Sequence, residues 1–351
     1  MNIVHETTTS RNYTIDIIKL IAAFFVVCIH TKTTSAVDGF EQGSFSFVID
    51  NIARFAVPFF FVASGFLIDF GNYKKLLIRI GKVIVIYATW SLLFIYIRQH
   101  NGLNYPVFQF TDDTALNDKL NVWYKILFYG YERHLWFFIA YVIAALIVAF
   151  LRRKQWLLLT LALLLYTLGL TGQQFRFGYP EHVSFLPMPT SDWLRETYFT
   201  RSGLFFAFPC MALGHIIRKQ EYRIKEISTI PLSVLIAALF ILQYYECVWM
   251  INNYDATTAD YYISTLLLSS SILVLAMRYP GQSSVLSTTG KLSGGVYLIH
   301  PLFMYFFLVN YKELFGQEWW AYAFTPILIM LSLLSAFIIS KIPFVRKLIM
   351  M

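Results

Sequence analysis

A lysine and a histidine, Lys19 and His30, stand eleven positions apart in a largely apolar run that follows Arg11. Eleven residues make about three α-helical turns, so both side chains share one face, roughly 16 Å apart along the axis. Asp16, three positions before Lys19, joins that face. Ionisable groups inside a membrane span are costly and mark a functional site. A histidine in such a place suits general-base or nucleophilic catalysis, and the charged pair below it suits an anionic ligand or an internal ion pair, Asp16 with Lys19 or with Arg79.

The next apolar run reads Asp50-Asn-Ile-Ala-Arg54-Phe-Ala-Val-Pro58-Phe-Phe-Phe-Val-Ala-Ser64-Gly65-Phe66. It returns in the opposite direction, so rise per residue places Arg54 at the depth of His30 and Ser64 at the depth of Lys19. Two polar layers follow as an expectation: His30 with Arg54, and Lys19 with Ser64. Snorkelling of Arg54 to the interface is the alternative for the first layer. Ser64-Gly65 permits close approach of either a neighbouring helix or a ligand. His134 and Trp136 open another run, Arg201 opens a later one, and His300 precedes Pro301 in a third. These four are candidate substrate contacts; an aromatic belt, an interfacial arginine and a helix-packing histidine are the alternatives.

The elements that must carry these residues are helices. Hydrophobic residues make up 58% of the 351-residue chain and charged ones 14%, far less charge than a soluble domain carries. Apolar runs of about 20 residues recur, which predicts an all-α polytopic membrane protein forming one domain over residues 1–351. Spans are expected at about 13–32, 45–70, 83–98, 134–151, 155–170, 201–217, 228–249, 260–277, 292–310 and 320–340. With the N-terminus inside, 17 of the 28 Lys and Arg residues fall in inner segments, against four acidic residues. This bias puts both termini in the cytoplasm and makes the net charge of +8 a topology signal, not a nucleic-acid footprint. The first run reads as an uncleaved signal anchor.

Cys28, Cys210 and Cys247 all lie in apolar runs and offer no disulfide framework. No HExxH, CxxC or other metal-ligand spacing occurs, so no metal is expected. Nucleotide loops and a GxSxG elbow are absent too, which excludes ATP hydrolysis, dinucleotide redox chemistry and a nucleophile-elbow hydrolase. Three longer segments, 33–44, 99–133 and 171–200, fall on the predicted outer side, where a substrate would be met.

Taken in order, these motifs resemble the acyltransferase 3 family of bacterial integral-membrane acyltransferases. The resemblance rests on Lys19, ten intervening residues and His30, then Val57–Phe66, His134–Phe138, Arg201–Phe206 and Val296–Pro301. Many members carry arginine in place of Lys19; lysine keeps the charge without the bidentate fork. Asparagine is frequent where Ser202 stands. The membrane half of vancomycin-resistance serine racemases is also similar, near 134–138 and 201–206, which keeps small-solute or amino-acid transport open as a second function.

The family resemblance implies O-acyl transfer, usually of acetyl, from a cytoplasmic acyl-CoA to a hydroxyl of an extracytoplasmic glycan at the bacterial cell membrane. It implies importance for Lys19 and His30, and for Ser64 and Arg79. His30, Asp16 and Arg54 are the expected catalytic groups. Lys19, Ser64, Arg79, Lys74 and Lys75 are expected at the acetyl-CoA donor, with Lys82 and Lys291 as further phosphate contacts. Arg201, His134, Trp136 and His300 are expected at the acceptor. Membrane lipid, acyl-CoA and the glycan are the expected partners.

Overall fold

The computed structural model describes residues 11–100, 132, 134–176, 202–224, 226–254 and 259–349, and among them every regular element is helical. Helix α1 spans Tyr13–Thr31. Asn12 starts it twice over: its side-chain oxygen accepts from the Ile15 amide at 3.0 Å, and its amide donates to the Ala276 carbonyl at 2.8 Å. The Tyr13 amide donates to the Pro280 carbonyl at 2.7 Å. The helix ends in Lys32, whose φ of +49° cannot continue an α-helix.

A short helix α2 (Ser35–Asp38) follows, then α3 (Phe45–Ala53) and α4 (Ala56–Leu67). The run expected as one span over 45–70 is thus a broken helix. Pro58 supplies the reason. It has no amide to give the Arg54 carbonyl four residues back, and its ring crowds that carbonyl. Polar side chains from distant segments bond the backbone on either side of the break. Ser269 Oγ donates to the Phe55 carbonyl at 3.2 Å, and Gln243 Nε2 donates to the Asn51 carbonyl at 2.6 Å.

Helix α5 (Tyr73–His100) begins ten residues before the predicted 83. Asn72 caps it by accepting from the Lys75 amide at 3.0 Å. Its opening turns are amphipathic: Leu76 and Ile80 are buried while Lys74 and Lys75 are exposed, so these lysines stand on a helix and not in a loop. Helices α6 (Trp136–Leu151), α7 (Gln155–Arg176) and α8 (Phe208–Lys219) follow, α8 entered through a π-helical turn at Gly203–Ala207. The chain continues through α9 (Glu221–Ile224), α10 (Thr229–Tyr254), α11 (Thr265–Arg278), α12 (Val285–Gly290), α13 (Ser293–Asn310) and α14 (Glu318–Ser340). A 3₁₀ turn at Val345–Leu348 ends it.

Six stretches among the described residues are long and apolar enough to cross a membrane: Tyr13–Thr31, Phe45–Leu67, Tyr73–His100, Thr229–Asn253, Ser293–Asn310 and Glu318–Ser340. The other four predicted spans correspond to shorter stretches, among them Trp136–Leu151, Gln155–Leu170 and Thr265–Arg278. The chain is therefore a multi-pass membrane protein.

Ser64-Gly65 serves a helix contact. A Cβ on Gly65 would stand 1.9 Å from the Met211 carbonyl oxygen, and one on Gly214 would stand 1.9 Å from the Val62 carbonyl oxygen. Glycines on both faces thus let α4 and α8 touch backbone to backbone. Cys28, Cys210 and Cys247 are all unpaired.

The segment leaving α1 is bent sharply. Lys32, Thr34 and Phe40 all adopt left-handed backbone, with φ of +49°, +60° and +60°. Asp38 gathers it, accepting from the Thr34 hydroxyl (3.0 Å), the Phe40 amide (3.1 Å) and the Ser46 amide (2.9 Å) and hydroxyl (2.5 Å). Desolvation acts to raise the Asp38 pKa, but the bonds from Ser46, Phe40 and Thr34 outweigh it and hold the carboxyl below its usual value.

Two predictions follow from this packing. Gly214→Ala forces α4 and α8 apart and should cost roughly 1–3 kcal/mol by overpacking, read as a lowered thermal midpoint of the detergent-purified protein. For Asp38, a depressed folded-state pKa means that its stabilisation is complete above the ordinary aspartate value of about 4 and is lost as pH falls through the lower folded value. Amide protection in residues 32–46, corrected for intrinsic exchange, should hold from neutral pH down to that value and fall below it. Asp38→Asn should show weakened protection already at neutral pH.

Candidate active site

Near the C-terminal end of α1, His30 lines a buried cavity of about 70 Å³ together with Arg54, Trp136, Phe206, Asp260 and Tyr297. That volume admits a few water-sized groups. Four elements converge there: α1 brings His30, the break between α3 and α4 brings Arg54, the start of α6 brings Trp136, and the π turn before α8 brings Phe206. Arg54 is gripped by Asp50, one turn earlier, through both Nε (3.1 Å) and a closer Nη2 contact. Asp260 faces its other terminal nitrogen at 3.6 Å, outside hydrogen-bond range. Two carboxylates thus flank the guanidinium beside the histidine.

His30, His300 and His134 form a row. Ring centroids are 5.1 Å apart for His30 and His300, and 5.8 Å for His300 and His134. His300 Nδ1 contacts the Val296 carbonyl at 3.2 Å. A carbonyl only accepts, so Nδ1 carries the proton in that contact and Nε2 is left as an acceptor. Among the described residues, the Nε2 atoms of both His300 and His134 are buried with no hydrogen-bond partner.

A second network fixes His134. The Tyr297 hydroxyl donates to the His134 carbonyl at 2.5 Å. Two residues earlier, Glu132 is 2% exposed and pairs with Arg98 of α5. Tyr305 of α13 closes the triangle, donating to Glu132 at 2.7 Å and accepting from Arg98 at 2.5 Å. Phe94 fills the space between, its ring 5.1 Å from His134 and 6.2 Å from Tyr305.

At the other end of α1, Lys19 lies 3.5 Å from Asp16, which also binds Arg11 at 2.6 Å. Arg79 is within electrostatic reach of Lys19 and of Tyr141, and Tyr141 lies beside Ser64. Lys19, Ser64 and Arg79 therefore form one neighbourhood. Lys74 and Lys75 remain exposed near the start of α5. Asp16 is fourteen residues from His30, roughly 21 Å along the helix, so it belongs to the lysine end and does not line the histidine cavity. Arg201 lies outside the described residues.

Sequence spacing thus anticipated the meeting of His30 with Arg54, while Trp136, expected only at the acceptor or in an aromatic belt, joins them. It did not single out Asp260, Tyr297 or Phe206, or the Arg98–Glu132–Tyr305 triangle. Asp260 carried a usable signal, an acidic residue opening a predicted span at the depth of His30. The triangle carried none, because its members are 34 to 207 positions apart.

The family described as an acyltransferase domain (Acyl_transf_3) matches residues 12–342, and the chain belongs to that family. Its curated relatives include two amino-acid racemases of Enterococcus faecalis. One is 33% identical over 66% of this chain and 32% of its own length, the other 26% identical over 82% and 40%. A serine/alanine racemase of Enterococcus gallinarum is 26% identical over 83% of this chain and 40% of its own. The chain thus spans about a third to two fifths of the length of these relatives. No solved structure matches it.

Truncating Glu132 to alanine removes the carboxylate opposite Arg98 and leaves a half-dismantled buried ion pair. Such a change costs roughly 3–5 kcal/mol, so the purified Glu132→Ala protein should melt well below wild type. Tyr305→Phe, which keeps both charges, should cost far less.

Proposed function

We propose that this membrane acyltransferase moves a short acyl group, acetyl in the simplest case, from acyl-CoA to a hydroxyl of a cell-envelope glycan. The observation that supports this reading most is the shared cavity of His30 and Arg54, set apart along α1 from the cationic neighbourhood of Lys19 and Arg79. The separation, roughly 16 Å, is of the order of a pantetheine arm. In this reading both termini lie in the cytoplasm of a bacterial cell and the chain crosses the membrane about ten times. The donor's phosphates dock on Arg79 and Lys19, with Lys74 and Lys75 at the mouth, and its thioester reaches the histidine cavity. Ser64 lines the passage.

His30 takes the proton of the acceptor hydroxyl as the oxygen attacks the thioester carbonyl. Arg54 balances the negative charge that develops on that carbonyl oxygen. The carbon–sulfur bond then breaks, and the proton passes from His30 to the departing CoA sulfur. An acyl-imidazole on His30 is the covalent form of the same transfer. Trp136, His134, His300 and Arg201 contact the acceptor.

In cells expressing wild type or His30→Ala at equal levels, the variant should leave glycan O-acetyl content at background, a loss of at least about 100-fold for a missing general base. Unchanged O-acetylation would remove His30 from the reaction. The racemase names of the relatives favour one other reading, handling of a small amino acid. His30-dependent uptake of labelled serine into proteoliposomes without acetyl-CoA would establish that function in place of acyl transfer.

A further inference from the structure

A second cavity, of about 500 Å³, lies between α5, α13 and α14 and is closed at one end by the Val345–Leu348 turn. It shares no lining residue with the His30 cavity; Tyr297 faces one, while its neighbours Ile299 and Leu302 on α13 face the other. Trp90, Leu93, Phe303, Phe306, Ile339 and Leu348 form its wall, and no charged side chain enters it. The Trp90 indole donates to the Leu348 carbonyl at 3.0 Å, and the Thr89 and Ser335 hydroxyls are the other side-chain polar groups in the lining. Leu93 and Phe306 remain 38% and 48% exposed, so the slot opens on the outer flank of the helices. Its volume falls within the roughly 300–1,000 Å³ of pockets that hold a small molecule.

One end of this apolar slot is basic. Lys347 adjoins Leu348 in the turn that closes it, and Arg346 and Lys347 are both exposed. Lys82 stands seven residues before Thr89, which lines the slot, hence on the same face of α5 and roughly 10 Å further along it. Lys82 is also within electrostatic reach of Lys347 and Arg79. None of Lys82, Arg346 and Lys347 forms an ion pair among the described residues. The site therefore joins an uncharged slot of alkyl character, open sideways to lipid, to cations that lack a counter-charge. Basic pockets between membrane helices take anionic lipid headgroups.

We propose that this slot binds an anionic phospholipid, with an alkyl chain along Trp90, Leu302 and Ile339 and the phosphate between Lys82 and Lys347. A neutral lipid would leave the cations unanswered, and a free phosphate or nucleotide would leave the slot unfilled. The bound lipid ties the C-terminal turn to α5 and α13 independently of any acyl transfer.

The test is a thermal melt of the purified full-length protein in neutral detergent. Phosphatidylglycerol, phosphatidylcholine with the same chains, glycerol 3-phosphate and coenzyme A are added in separate arms. Phosphatidylglycerol should raise the midpoint by several degrees, and phosphatidylcholine and glycerol 3-phosphate should not; a shift from coenzyme A, whose phosphates are read at Lys19 and Arg79, should persist in Lys82→Gln/Lys347→Gln. The Lys82→Gln/Lys347→Gln variant should keep the lipid-free midpoint and lose the phosphatidylglycerol increment. Leu93→Trp, which fills the slot from its exposed flank, should lose it with the basic rim intact. Equal stabilisation by phosphatidylcholine would mean that only the general lipid belt is felt. An equal shift from glycerol 3-phosphate, or a coenzyme A shift lost in Lys82→Gln/Lys347→Gln, would make the rim an anion or donor site. A full increment in either variant would place the lipid elsewhere; any of these three results overturns the proposal.

Discussion

A guanidinium cannot enter the interior of an apolar bundle without a counter-charge; stranding one there costs several kcal/mol. Arg54 is nearly buried and meets two carboxylates, Asp50 one turn away and Asp260 from more than two hundred residues later in the chain. Satisfying that one charge fixes a large part of the architecture. It holds the broken ends of α3 and α4 against the segment that leads into α11. It also draws polar side chains to the break: Gln243 exchanges hydrogen bonds with the Asn51 backbone and side chain, and Thr265 donates to Gln243 at 2.8 Å. The helix broken by Pro58 is thus held on both sides of the break by polar side chains from distant segments.

The same economy of buried polarity organises the histidine row. His30 and His300 come from α1 and α13, and His134 from the turn that leads into α6. Tyr297 holds the His134 backbone, the Val296 carbonyl sets the His300 tautomer, and Arg98, Glu132 and Tyr305 lock the turn that presents His134. The Nε2 atoms of His134 and His300 are buried in this support without a hydrogen bond among the described residues, His300 Nε2 as an acceptor.

Much of this was legible in the residues. The three-residue step from Asp16 to Lys19 gave a real ion pair, and depth counting along two antiparallel runs brought Arg54 to the level of His30. Counting along one chain could not reveal which helix lies beside which, so Tyr297 and the Arg98–Glu132–Tyr305 triangle stayed hidden. The break at Arg54 was legible in principle, since Pro58 removes a specific hydrogen bond, but an unbroken apolar run from 45 to 70 masked it. Basic residues expected in the loop before the third span proved helical, because alternation with Leu76 and Ile80 at helical spacing outweighs their charge.

The π turn at Gly203–Ala207 has a geometric consequence of its own. Gly203 and Gly214 are eleven residues apart, about three turns of an α-helix, and would fall on one stripe of an uninterrupted helix. Yet Gly203 is pressed against Ile143 of α6, while Gly214 is pressed against Val62 of α4. The additional residue in the wide turn works as a phase shifter, rotating one stripe of small residues toward a second neighbour by roughly a hundred degrees. A single stretch of chain thereby docks against two partners, on the Ile143 side chain of α6 and on the backbone of α4, and Phe206, carried within the turn, is swung into the wall of the histidine cavity.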